Sequence, residues 1–162
     1  MPDLNVRTYM VMGASLVLAM MLRILPLPHE WFIFNPDWIA LCLIYWTMAL
    51  PERVGVGTAW LTGLFADVLT GRMLGQHAVA YSVIAYLSLR FYRRLRLYPL
   101  PQQCLWVLGF LLAGQVLVYW TQHIKNAESM TRAYWLPPLA GAVVWPWVRI
   151  ALRHLRRRYK IA

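Results

Sequence analysis

The sequence predicts an all-α integral membrane protein with six transmembrane helices, and three observations predict it. Hydrophobic residues make up 60% of the 162 and charged residues only 14%, against roughly 45–50% and about 25% in ordinary globular domains. A chain of this length cannot hide that much apolar surface in one water-surrounded core, so hydrocarbon is its natural solvent. The apolar residues fall into runs near the ~20 residues that a helix needs to cross a bilayer, over residues 8–25, 36–50, 54–70, 75–91, 104–122 and 134–152. The basic residues cluster at the ends of these runs: Arg90, Arg93, Arg94 and Arg96 in one group, and Arg149, Arg153, Arg156, Arg157, Arg158 and Lys160 in another. Residues 1–162 thus read as a single polytopic domain with a basic tail over 153–162, and no segment outside the helices is long enough to fold alone.

The elements follow in order. The run 8–25 resembles a secretory signal only superficially, because Arg7 is its sole basic flank and no small-x-small cleavage site follows. It is expected to be a retained first helix. Trp31, Phe32 and Phe34 then form an aromatic loop suited to the headgroup region. In Asn35-Pro36-Asp37-Trp38 the spacing predicts a helix start, with Asn35 as N-cap, Pro36 at the first helical position and Asp37 in the positive end of the helix dipole. Pro51-Glu52-Arg53 is a tight turn into the third helix, and residues 71–76 a short connection into the fourth. The arginine-rich stretch 92–101 is the longest polar break in the middle of the chain, and residues 123–132 form a polar loop before the sixth helix. Pro146, inside Trp145-Pro146-Trp147, is expected to kink or locally open that helix or simply to be tolerated there.

Orientation follows from the enrichment of Lys and Arg on the cytoplasmic side. With six spans and a cytoplasmic amino terminus, the inner segments hold Arg7, Arg53, the four middle arginines and the six basic residues from Arg149 onward, twelve of the 16; the outer segments hold only Arg23, Arg72, Lys125 and Arg132. Both termini are therefore expected in the cytoplasm. The nine tryptophans fit two interfacial belts, with Trp31, Trp38, Trp120 and Trp135 at outer ends and Trp46, Trp60, Trp106, Trp145 and Trp147 nearer inner ends.

One acidic residue lies inside a span. Asp67 sits about 12 residues into the third helix, ~18 Å deep in a ~30 Å hydrocarbon core and beyond its midplane. Such a group is costly in lipid, so it should face protein or water and be paired. Gly55, Ala59, Gly63, Asp67, Gly71 and Gly75 recur at intervals of four, which places neighbours along one ridge where a second backbone can approach closely. The ridge reads either as a groove for a partner helix or ligand, anchored by Asp67, or as internal packing with Asp67 bonded to Arg72, His77 or backbone groups. Asn35, Pro36, Asp37 and Trp38 mark a helix cap on the outer side. Arg93, Arg94, Arg96, Arg156, Arg157 and Arg158 are placed to contact anionic lipid or a cytoplasmic protein.

Several classes are disfavoured. Phosphate contacts along a nucleic acid need a continuous soluble basic face, which is absent here, so no nucleic-acid partner is expected. Cys42 and Cys104 form no CxxC and no second pair, and read as inert thiols. His29, Glu30, His77, His123 and Glu128 gather on the outer side without metal-ligand spacing. With no nucleophile–base arrangement, phosphate loop or carboxylate pair, the chain reads as a non-enzyme with no cofactor and no metal.

Taken together, Phe34-Asn35-Pro36-Asp37-Trp38, the hairpin from Tyr45-Trp46 through Ala49-Leu50-Pro51-Glu52-Arg53-Val54, the run Gly63-Leu64-x-x-Asp67-x-x-x-Gly71-x-x-x-Gly75, and Trp145-Pro146-Trp147 before a basic tail resemble the rod shape-determining protein MreD family in its proteobacterial form. The resemblance covers essentially the whole chain. It implies a bacterial inner-membrane component of the cell-elongation machinery, which pairs with the bitopic protein MreC and helps couple MreB filaments inside to the transpeptidase PBP2 and the glycosyltransferase RodA outside. It also implies a fold similar to the substrate-binding subunits of energy-coupling-factor transporters, and hence an outward pocket near Asp37, Asp67 and Gly71. The resulting expectation is a scaffold of wall elongation whose third helix holds the spanning helix of MreC. The alternative is a substrate-binding membrane subunit of a small-solute transporter, and a lipid-handling enzyme is remote.

Overall fold

A computed structural model describes residues 2–124 and 131–161, with side chains from Asn5 onward. Among the described residues there are helices and no strands: α1 (Pro2–Ile24), α2 (His29–Phe32), α3 (Trp38–Ala49), α4 (Val56–Thr70), α5 (Gln76–Leu97), α6 (Leu100–His123), a 3-10 turn (Arg132–Trp135) and α7 (Leu136–Arg158). Lys125 and Glu128 lie outside the described residues.

The helix α3 is the axis of the fold. Its sequence is apolar on every side, and a helix without a polar face must be surrounded. Residues Ile39 to Met48 are all buried, and α1, α5, α6 and α7 pack around them. The helix α4 packs chiefly on α5. This hairpin closes through Gly71 and Gly75, whose φ values of 63° and 98° lie where a Cβ would be strained. At Gly63 the two backbones nearly touch: an added Cβ would lie 2.3 Å from the Ala78 Cα.

Successive long helices run antiparallel, so every second connection falls at the same end. Val6 and Arg7 of α1, Leu155 of α7 and Tyr159 just beyond it line one groove, which puts both ends of the described chain at the arginine-rich end. By length and apolar composition, Asn5–Ile24 and Leu100–His123 qualify as membrane spans, whereas Trp38–Ala49 and Val56–Thr70 are apolar but shorter. At 12 and 15 residues they reach about 18 and 22 Å.

Several boundaries differ from expectation, for one physical reason. The stretch 92–101 is not a long break: α5 continues through Arg93, Arg94 and Arg96 to Leu97, and α6 starts at Leu100. Likewise α7 carries the basic tail to Arg158 and α1 begins at Pro2. Arginine and leucine are good helix formers, so a cluster of charge need not end a helix. Only Pro99, which biases Tyr98 out of the helical region, separates α5 from α6; Tyr98 has ψ 145°. The α3 cap is also shifted. Asp37, not Asn35, is the N-cap and accepts from the Ala40 N–H at 3.2 Å, while Asn35 Oδ1 accepts from the Trp38 indole at 2.8 Å.

Two tryptophans expected in the interfacial belt are core residues. Trp46 is 1% and Trp145 0% exposed. A buried indole N–H needs an acceptor; Trp46 finds Ser15 Oγ at 2.9 Å and Trp145 finds Gln103 Oε1 at 3.3 Å. The helix α7 runs through Pro146 without interruption.

Candidate functional site

At the end opposite the arginine clusters, four elements bring ionisable side chains together. Asp67 lies one turn before the end of α4 and is 0% exposed. Its Oδ2 accepts from the Gly75 N–H at 2.9 Å, and its Oδ1 from the His77 N–H at 2.9 Å and from His77 Nδ1 at 2.6 Å. The carboxylate thus sits at the start of α5, where free N–H groups and the positive end of the helix dipole favour a negative charge.

The protonation pattern of His77 follows from its other partner. An Arg23 guanidinium nitrogen lies 3.0 Å from Nε2, and a guanidinium can only donate. Nε2 therefore accepts, the ring proton sits on Nδ1, and His77 is a neutral donor to Asp67. Arg23 also pairs with Asp37 at 2.8 Å. Asp37 in turn accepts from the Tyr81 hydroxyl at 2.8 and 2.9 Å.

The result is a closed chain, Asp67–His77–Arg23–Asp37–Tyr81, that ties α1, the α3 cap, α4 and α5. In low dielectric such a network is costly to leave half made: removing one partner of a buried pair typically costs about 3–5 kcal/mol. It is a clamp on helix positions.

Beside the clamp opens a cavity of about 510 Å³, lined by the ends of α1, α4 and α6, the starts of α5 and α7, and the α3 cap. Arg23, Asp37 and Arg72 line it together with Asn35, His77, Tyr81, Gln115 and Tyr134, and with apolar residues that include Leu69, Ile84, Leu111 and Val118.

The expected site residues separate into three places. Of the ridge, Ala59, Gly63 and Asp67 are buried against α5, so the close approach that small residues permit is made within the chain. Gly71 and Gly75 form the αL ends of the α4–α5 turn, and Gly55 is the α4 N-cap. Asn35, Pro36 and Asp37 do line the cavity, and Trp38 anchors Asn35 from below it. The basic residues lie at the far end. Arg96 is spent on α3, donating to the Met48 and Ala49 carbonyls at 2.6 and 3.0 Å, a cation at a helix C-terminus. Arg156 donates to the Ile161 carbonyl at 3.2 Å, and Arg93, Arg94, Arg157 and Arg158 are exposed.

Sequence reasoning passed over Arg23 and Tyr81. Arg23 had a signal, since an arginine closing an apolar helix on the sparsely charged side asks for a partner. Tyr81 lies four residues after His77 and so on the same helix face, but a tyrosine there reads equally well as core.

The family model described as rod shape-determining protein MreD matches residues 5–155. The rod shape-determining protein MreD of Haemophilus influenzae is 31% identical over 145 residues, covering 90% of both chains. No solved structure matches. With the match running from the first helix to the last, this chain belongs to the MreD family of rod shape-determining membrane proteins.

Proposed function

We propose that the protein is a non-enzymatic scaffold of the cell-elongation complex in the bacterial inner membrane. In this reading it crosses the membrane six times, keeps both termini in the cytoplasm, binds MreC, and helps couple MreB filaments to PBP2 and RodA. The observation that carries the reading is the family match over residues 5–155. Two further features support it. The described chain is helix and short connection throughout, so a partner can meet it only through lateral helix contacts, loops or the basic end. The outward side of α4 presents Trp60, Leu61, Phe65 and Val68, each between 47% and 66% exposed, while its small-residue side is held on α5. That outward side is where the spanning helix of MreC packs, with Gly63 and Asp67 setting its angle through α5. Arg93, Arg94, Arg157 and Arg158 contact anionic lipid of the inner leaflet or a cytoplasmic partner.

Depletion in a rod-shaped host tests the role: cells round up, and unchanged shape counts against it. Co-purification tests the surface. The double variant Trp60→Ala, Phe65→Ala should lower recovery of MreC several-fold, and full recovery would remove α4 as the contact. The cavity supports one second reading, a solute-binding subunit of a transporter. That reading requires an ATPase module to co-purify.

A further inference from the structure

We propose that the cavity beside the Asp67–His77–Arg23–Asp37–Tyr81 chain binds an amphiphile with a phosphate head, the phosphate held by Arg72 and Tyr134 and the hydrocarbon chain laid along Leu69, Ile84, Leu111 and Val118. The inference goes beyond the scaffold role and does not depend on it.

The argument begins with which lining groups are already used. Arg23, Asp37, His77 and Tyr81 satisfy one another. Thr70 donates to the Ala66 carbonyl, and Gln115 to the Tyr134 carbonyl. The groups left over are mostly donors. The Tyr134 hydroxyl is buried with no hydrogen-bond partner among the described residues. Arg72 makes no ion pair among them. Asn35 uses its oxygen on Trp38, which leaves its NH₂. A buried hydroxyl without a partner is uncommon and asks for one.

Charge points the same way. The charged side chains on the wall are Arg23, Arg72 and Asp37, and with His77 neutral the wall carries one net positive charge. The oxygens of Asp37 are engaged by Arg23, Tyr81 and the Ala40 N–H, so they do not oppose an anion. A guanidinium with neighbouring hydroxyl and amide donors suits phosphate oxygens.

The rest of the wall excludes a bare ion as the best occupant. About 510 Å³ falls in the ~300–1,000 Å³ range of ligand sites and far exceeds one phosphate. Leu69, Ile84, Leu111 and Val118 offer hydrocarbon to whatever fills the remainder. A chain-bearing phosphate uses both halves, whereas inorganic phosphate uses one.

The test is calorimetric titration of the full chain in phosphatidylcholine nanodiscs with farnesyl phosphate, farnesol and inorganic phosphate. Farnesyl phosphate should bind saturably, at least tenfold tighter than either of the others. Arg72→Gln should weaken it about tenfold or more, and Tyr134→Phe about threefold to tenfold, as expected for donors to a charged acceptor. Thermal unfolding of each variant checks its fold; Tyr134→Phe removes a single unbonded oxygen and decides the matter if Arg72→Gln does not fold. Equal binding of farnesol, equal binding of inorganic phosphate, no saturable binding, or unchanged affinity in folded Arg72→Gln and Tyr134→Phe would each overturn the proposal. None of these outcomes bears on cell rounding, so the site and the scaffold role fail separately.

Discussion

The two ends of the helix bundle handle charge in opposite ways. At the Asp67 end, the charges that lie among packed helices are matched, Arg23 with Asp37, His77 with Asp67 and Tyr81 with Asp37, while Arg72 at the cavity rim is exposed and makes no ion pair among the described residues. At the other end arginines are in excess, and none forms an ion pair with a carboxylate among the described residues. Arg96 and Arg156 turn to backbone carbonyls, Arg53 and Arg149 are half-buried, and Arg90, Arg93, Arg94, Arg153, Arg157 and Arg158 stay exposed. The difference teaches where charge stabilises the fold and where it serves the surroundings. Buried charge needs its partner supplied by the chain; exposed charge can take water or lipid phosphate at little cost to stability.

This contrast can be broken by removing charge at each end. The largest effect is expected from Asp67→Ala, which strands the Gly75 and His77 N–H groups and the imidazole. Unfolding of the purified protein, followed in detergent, should show a loss of about 3 kcal/mol or no folded protein at all. Gly63→Ala comes next, because the new Cβ would meet the Ala78 backbone at 2.3 Å; a loss of about 2 kcal/mol is expected for overpacking. Gly13→Ala, where nothing lies within 4 Å, should leave the unfolding transition unchanged or raise it slightly. Tyr81→Phe removes a neutral donor to a carboxylate and should cost about 1.5 kcal/mol in the same measurement. Arg96→Gln at the far end should cost about 1 kcal/mol through the α3 C-terminus. The smallest effect belongs to Arg157→Gln, expected within about 0.5 kcal/mol. Its consequence should appear instead as weaker association with anionic lipid, by about 1 kcal/mol. A stability loss for Arg157→Gln as large as that for Asp67→Ala would erase the distinction between the two ends.

Much of this was legible in residue order. Six apolar runs correspond to six long helices, though that residues 38–49 form the buried axis emerged only from the packing. Asp67 was visible as a group that must be paired, because a carboxylate inside an apolar run has no cheap alternative. The motifs carrying the family resemblance run the length of the chain, as the family match does. Helix ends were less legible. Arginine signals the edge of hydrocarbon but also continues a helix, so α5 and α7 extend beyond their apolar parts. Tryptophan was ambiguous for a related reason: an indole suits an interface or a core that offers an acceptor, and Ser15 and Gln103 gave no sign of supplying one.

The sequence by itself therefore determined the all-helical class, the number of long helices and the need for a partner at Asp67, since these depend on composition and on periodicity within a single segment. Tertiary structure decided who the partners are. Arg23 and His77 lie 54 residues apart in the chain, and Asp37 and Tyr81 lie 44 apart; nothing in local spacing could join them. It also decided that the ridge through Gly63 faces α5. A stripe of small residues states only that some backbone comes close, and the identity of that backbone is settled by how the helices pack.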